Sequence, residues 1–245
     1  MSTQPTCAIL LIGDELLSGR TEDRNMHYIA TRVASVGVHL KEVRVVPDVE
    51  REIVDALNAL RTKYTYVFTT GGIGPTHDDI TVKSVAYMFG VPVERDAQVK
   101  KAFEDFFGDN LKPATLKMAD FPKGAEKVPN AISIAPGFRM ENVYCMAGVP
   151  NIMQSMFEAI LPTLVKGKVV LSKSVDVFAG ESVISADFEA LQERSPKAEL
   201  GSYPFRNDDG KHCTSLVVRA TDGVILEKVY GQIIDMLKGL GVDYR

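Results

Sequence analysis

Three apolar runs, "CAILLIG" (7–13), "KEVRVV" (41–46) and "YTYVFTT" (64–70), alternate with two segments of helical period. In 25–37 the residues Tyr28, Ile29, Val33 and Val36 share one face, and in 50–61 Ile53, Val54, Leu57 and Leu60 do the same. Strand, helix, strand, helix is the order that builds a parallel sheet with helices on both faces, because parallel neighbours need a long crossover. Ligands on such sheets gather at the carboxyl ends of the strands, so the residues after each run are where chemistry is expected.

Those residues are unusual. "LIGDELLSG" (11–19) leaves the first strand through Gly13 into Asp14, Glu15, Ser18 and Gly19. Asp48 follows the second strand. "TTGGIGPTHDD" (69–79) follows the third and opens a helix, bringing Gly71, Gly72, Gly74, Thr76, Asp78 and Asp79 into one joint. "MAGVPN" (146–151) is a fourth strand end, with Gly148 able to offer backbone N–H groups to a phosphate. A plain N-cap accounts for any one of Asp48, Asp78 or Asp79, and capping alone is the simpler reading of Asp48 by itself. It leaves three glycines and Pro75 unexplained. Neither dinucleotide glycine fingerprint nor P-loop fits, and there is no serine elbow, zinc helix or nucleophilic cysteine–histidine pair. His77 is as well explained by an exposed loop as by a role in the site.

Downstream, 80–90 reads as a helix ended by Gly90, and 96–108 as a helix with Phe103, Phe106 and Phe107 in the core. Residues 109–130 read as a short helix and a loop, "AISIAPGF" (131–138) with "NVYCMAGVP" (142–150) as a strand pair, and 151–164 as a helix interrupted by Pro162. The rhythm then changes. Residues 1–166 are expected to form one α/β domain and 167–245 a small α+β unit of ferredoxin-like order.

Net charge is -4, with no basic block, so no nucleic-acid partner is expected. Cys7, Cys145 and Cys213 lie far apart among apolar residues and read as reduced, buried thiols, which places the chain in the cytoplasm. The apolar run near the N-terminus is too short for a membrane segment.

"GDELLSG", "VPD", "TTGGIGPTHDD" and "AGVP", in that order, resemble the molybdopterin-binding domain family, in the branch of competence/damage-inducible protein A and the N-terminal domain of eukaryotic FAD synthase. "GSYPF" (201–205) is similar to the second unit of that branch. The resemblance implies a three-layer α/β/α domain with a mainly parallel sheet and a pocket for a pterin or nucleotide pyrophosphate. It implies metal-dependent cleavage of ADP-ribose- or FAD-like substrates, with molybdopterin binding or adenylylation as the alternative. Asp48 and Asp79 match the family's acidic positions; Gly13, Asp14, Glu15 and Ser18 match the first binding loop, and Asn25 an asparagine common in the branch. Adenylyltransferases usually carry arginine where this chain has Asp78, which favours a divalent metal (Mg, Mn or Co) on Asp14, Glu15 and Asp79. The stop at Arg245 leaves no room for the amidase domain of longer competence proteins or the adenylyl-transferring domain of FAD synthase. A small-molecule partner and a possible homo-oligomer complete the expectation.

Overall fold

A computed structural model describes residues 4–245, which divide into two compact units, 4–167 and 168–245. The first unit begins with β1 (Thr6–Ile12), a single-turn α1 (Asp14–Leu17), α2 (Asn25–Ser35), β2 (His39–Val46), α3 (Glu50–Lys63), β3 (Tyr66–Thr70) and α4 (Thr81–Phe89). An excursion follows: β4 (Val93–Arg95), α5 (Ala97–Phe107), β5 (Asp120–Pro122), β6 (Glu126–Val128) and β7 (Gly137–Met140). It returns to the sheet as β8 (Val143–Met146) and closes with α6 (Pro150–Ile160).

The main sheet has the order β2-β1-β3-β8-β7-β6. The first four strands are parallel, and β7 and β6 add an antiparallel edge. Period-2 side-chain alternation makes the three layers. Ala8, Leu10 and Ile12 enter one core with Ile53, Leu57, Leu60 and Phe103, while Cys7, Ile9 and Leu11 enter the other with Ile29, Val33, Met153 and Phe157. Strands buried on both faces read as unbroken apolar runs, which is why "CAILLI" carries no polar residue. Cys7 and Cys145 are buried free thiols, and burial pushes both up to about 12.

Three expectations need correction. Residues 131–136 are not strand: the Asn130 side chain accepts the Ile132 and Ser133 N–H groups and donates to Ala135 O, folding them into a loop. Residues 109–130 hold two short 3-10 turns and the strands β5 and β6 rather than one helix and a loop. Phe103 is fully buried, but Phe106 is 70% exposed, because α5 offers only one face to the core.

The second unit comprises β9 (Leu171–Val177), α7 (Glu181–Arg194), β10 (Glu199–Arg206), β11 (His212–Ala220) and α8 (Gly223–Leu240). The sheet is antiparallel in the order β10-β11-β9, and Val175, Val177, Leu216 and Val218 pack on the helices. Tyr244 bridges to Val177, and Arg245 exchanges backbone bonds with Asp176, so the chain end takes the fourth-strand place of the β-α-β-β-α-β order. In "GSYPF", the Tyr203 ring lies over Gly201, where a Cβ would sit 3.0 Å from it, and Arg219 donates to the Tyr203 hydroxyl oxygen at 2.9 Å. No described helix is long and apolar enough to cross a membrane.

Candidate functional site

The carboxyl ends of β1, β2, β3 and β8 open onto one cavity of about 410 Å³. The Gly13 N–H bonds Val46 O at 3.1 Å, which stitches the ends of β1 and β2 together. One step further out, the Asp14 N–H donates to Asp48 Oδ2 at 3.0 Å. Asp48 therefore does not cap α3, whose N-cap is Val49 without a side-chain bond. Burial raises the Asp48 carboxyl above the ordinary aspartate range; the Asp14 N–H opposes that shift, and the charges of Asp14, Glu15 and Asp78 add to it.

At the end of β3 the glycines have separate causes. Gly71 and Gly72 hold φ of 101° and 69°. A Cβ on Gly71 would meet Ile12 O at 2.2 Å, and one on Gly72 would meet Thr81 Oγ1 at 2.2 Å. Gly74 is crowded by Asp79, whose Oδ2 would lie 2.6 Å from an added Cβ. The first N–H of α4, on Thr81, is taken by Gly72 O at 2.9 Å, so the expected open helix start is partly satisfied by the loop itself. Neither Asp78 nor Asp79 caps α4; the N-cap is Ile80.

Both aspartates instead turn to Thr76. Asp79 Oδ2 accepts the Thr76 N–H at 2.7 Å and the Thr76 hydroxyl at 2.6 Å, and Asp78 Oδ1 also accepts that hydroxyl. A hydroxyl has one proton, so it serves one carboxylate at a time. Donation from Thr76 is the main reason that the Asp78 carboxyl lies below the ordinary range. Lys117 Nζ reaches Thr76 O at 3.3 Å. His77 is 97% exposed, as an open loop residue would be.

At the end of β8, Asn25 is buried and donates Nδ2 to Gly148 O at 2.8 Å, while its Oδ1 has no partner. Of the residues expected in the site, Gly13, Glu15, Asp48, Gly71, Gly72, Gly74, Asp78, Asp79 and Gly148 line the cavity. Asp14, Thr76 and Asn25 are outside the lining and reach lining residues through the bonds just described. Ser18 is exposed, its hydroxyl donates to Glu15 O at 3.3 Å, and it is not part of the lining. Sequence reasoning missed the apolar wall of Ile73, Met118, Ala135, Pro136, Val149, Ile152 and Met156. Its one legible signal was "NAISIAPG", where an Asn and a Pro-Gly pair bracket a loop.

Glu15, Asp48, Asp78 and Asp79 thus share a cavity lined by no lysine, arginine or histidine among the described residues. No three His, Cys, Asp or Glu side chains among the described residues form a metal cage. The donors are hard carboxylate oxygens, the set magnesium takes in ones and twos beside phosphate and water, so they fit an open metal site rather than an all-protein one. Asp14 is exposed and outside the lining; its contribution to the site is its N–H on Asp48.

Residues 8–166 match the model described as "Probable molybdopterin binding domain". The chain belongs to the molybdopterin-binding domain family. Residues 169–245 match the middle domain of FAD synthase. Protein PH0439 of Pyrococcus horikoshii is 30% identical, over 97% of this chain and 96% of its own length. A "Probable FAD synthase" of Caenorhabditis elegans is 28% identical over 100% of this chain but 52% of its own, so this chain spans about half of that relative. The crystal structure of CinA from Thermoplasma acidophilum, described as of unknown function, is similar with a TM-score of 0.62 at 28% identity. It covers 67% of this chain and 100% of that one. Within the molybdopterin-binding family, then, the chain stands beside CinA-like and FAD synthase relatives.

Proposed function

We propose that this member of the molybdopterin-binding family is a metal-dependent hydrolase of nucleotide pyrophosphates of the ADP-ribose or FAD type. The observation that carries the reading is the wall of four carboxylates in a cavity without a lining cation. A diphosphate alone meets only like charge there. Magnesium, manganese or cobalt held by Glu15 and Asp79 would neutralise the bridging oxygens and polarise phosphorus.

The remaining roles belong to the chain. Asp48, with its raised pKa, orients the attacking water and takes its proton; the water oxygen joins one phosphorus and the other phosphate leaves with the bridging oxygen. Gly148 lets the backbone come close to the phosphates, with Asn25 fixing it, while Gly71 and Gly72 shape the turn that carries the acidic loop. The apolar wall takes the ring.

The test is to incubate purified protein with ADP-ribose or FAD and each metal and to look for AMP. No turnover with any metal, or full turnover in Asp79→Ala, rejects the reading. A second reading, molybdopterin binding or adenylylation, is supported by the family match together with the apolar wall beside a glycine-rich rim. Tight pterin binding without cleavage, or ATP-dependent adenylylation of molybdopterin, selects it.

A further inference from the structure

The second unit has a cavity of its own, about 250 Å³, between the turn that follows α7 and one side of α8. Arg194, Lys197 and Lys228 line it, together with Ser195 and Gln232, and no carboxylate does. Its walls are built in advance of any ligand. Ser195 to Ala198 is a reverse turn closed by the Ala198 N–H on Ser195 O at 3.0 Å, with Pro196 in the position where its fixed φ is favoured. Gln192 pins that turn: its Nε2 donates to Ala198 O at 2.9 Å and Ser195 O at 3.4 Å, and its Oε1 accepts the Leu200 N–H at 2.7 Å. Lys228 and Gln232 stand one helical turn apart on α8 and so share a face.

Part of the local charge is accounted for. Arg194 donates Nε to Ala190 O at 3.1 Å, at the negative end of the α7 dipole. Asp187 and Asp235 line an adjoining depression that shares Arg194 and Gln232 with this cavity, and Asp235 is paired with Lys238 at 3.8 Å. Among the described residues, the Lys197 and Lys228 ammonium groups enter no ion pair or hydrogen bond, and the side chain of Ser195, a residue only 8% exposed, makes no hydrogen bond. Two unpaired ammonium groups and the hydroxyl of a nearly buried serine around one concavity, in a chain of net charge -4, are a set of donors without an acceptor.

We propose that this cavity binds the phosphate group of a small phosphorylated molecule. Lys197 and Lys228 supply the charge, and the Ser195 hydroxyl and Gln232 amide donate to phosphate oxygens. The preformed turn fixes the backbone that carries Ser195 and Lys197, so only the side chains are left to order on binding. The inference is independent of the reading of the first unit.

The test titrates the whole chain with inorganic pyrophosphate by calorimetry, in EDTA and at low salt so that metal-dependent binding elsewhere is silent. Saturable one-site binding is expected, about tenfold or more weaker in Lys197→Glu/Lys228→Glu, intermediate in Lys197→Gln/Lys228→Gln, and weakened by added salt. Both lysines are exposed, so the variants should fold, and circular dichroism checks that they do. No saturable binding by the parent chain, or equal affinity in the folded double variants, overturns the proposal.

Discussion

Asp14 and Asp48 meet through one bond, main-chain N–H to carboxylate at 3.0 Å, which ties the loop leaving β1 to the loop leaving β2. The same bond delivers a donor to a carboxylate that burial and three neighbouring acids hold above its ordinary pKa. A carboxyl with a raised folded pKa binds its proton more tightly in the native state. Its favourable contribution is therefore present at low pH and is lost as pH rises through the raised value.

Asp48→Asn keeps an acceptor oxygen for the Asp14 N–H and removes the charge. At neutral pH its Tm should equal or exceed that of the parent, and the difference should disappear below roughly pH 3, where the parent carboxyl is protonated. Pyrophosphate cleavage should fall by about tenfold or more, as expected for loss of a general base. A clearly lower Tm at neutral pH would show that the anionic hydrogen bond outweighs the cost of burial.

The Thr76 hydroxyl lies within reach of both aspartates of the acidic loop and donates to one of them at a time. Thr76→Val preserves shape and the N–H to Asp79 but deletes that hydroxyl. Asp78 should titrate at higher pH, because its main stabilising donor is gone. The Asp78 carboxyl carbon, followed by NMR, should show that upward shift, and stability should change by only ~1 kcal/mol. An unmoved Asp78 midpoint would mean that the Thr76 hydroxyl spends its proton on Asp79 instead.

The glycines at the rim are predicted to respond in opposite ways. Gly71→Ala puts a Cβ 2.2 Å from a backbone carbonyl at φ of 101°, where neither partner can move away cheaply. It should cost about 2–3 kcal/mol or more in urea denaturation. At Gly148 the nearest atom to an added Cβ is Gly71 Cα at 3.4 Å, an ordinary contact. Gly148→Ala should stay within ~1 kcal/mol, and any larger effect should appear in ligand affinity. Equal destabilisation by the two would remove the distinction between a self-packing glycine and a ligand-facing one.

What was legible in the sequence was what repeats or stands at a strand end. β1, β2 and β3 and the helices between them follow from period and turn chemistry, which are local, and the change of rhythm marks the second unit. The acids reached one rim because the strands that carry them are neighbours in the order β2-β1-β3-β8. Sequence could not say what each would bond. Asp48 and Asp79 stand where N-caps stand, yet their partners are the Asp14 N–H and Thr76, a choice made by tertiary approach of loops. The apolar wall was illegible for a related reason: Met118 and Ala135 come from the excursion between β4 and β7, whose path depends on long-range packing rather than on periodicity.

Glu42 on β2 offers a test of the fold apart from the site. Its Oε2 accepts the Tyr64 hydroxyl at 2.6 Å and Lys63 Nζ at 3.0 Å, and its Oε1 accepts Arg44 Nε at 2.7 Å. The Tyr64 bond, then Arg44 and Lys63, lower the Glu42 carboxyl to about 2. A depressed folded pKa gives stability that is present above the ordinary glutamate value and is lost as pH falls toward the folded one. Glu42→Gln should therefore have the lower Tm at neutral pH, with the gap closing as pH falls from 4.5 to about 2. Tyr64→Phe removes the largest contributor, so the Glu42 carboxyl carbon, followed by NMR, should titrate at higher pH in that variant. If its midpoint does not move, the anchoring of β2 lies with Arg44 and Lys63 instead.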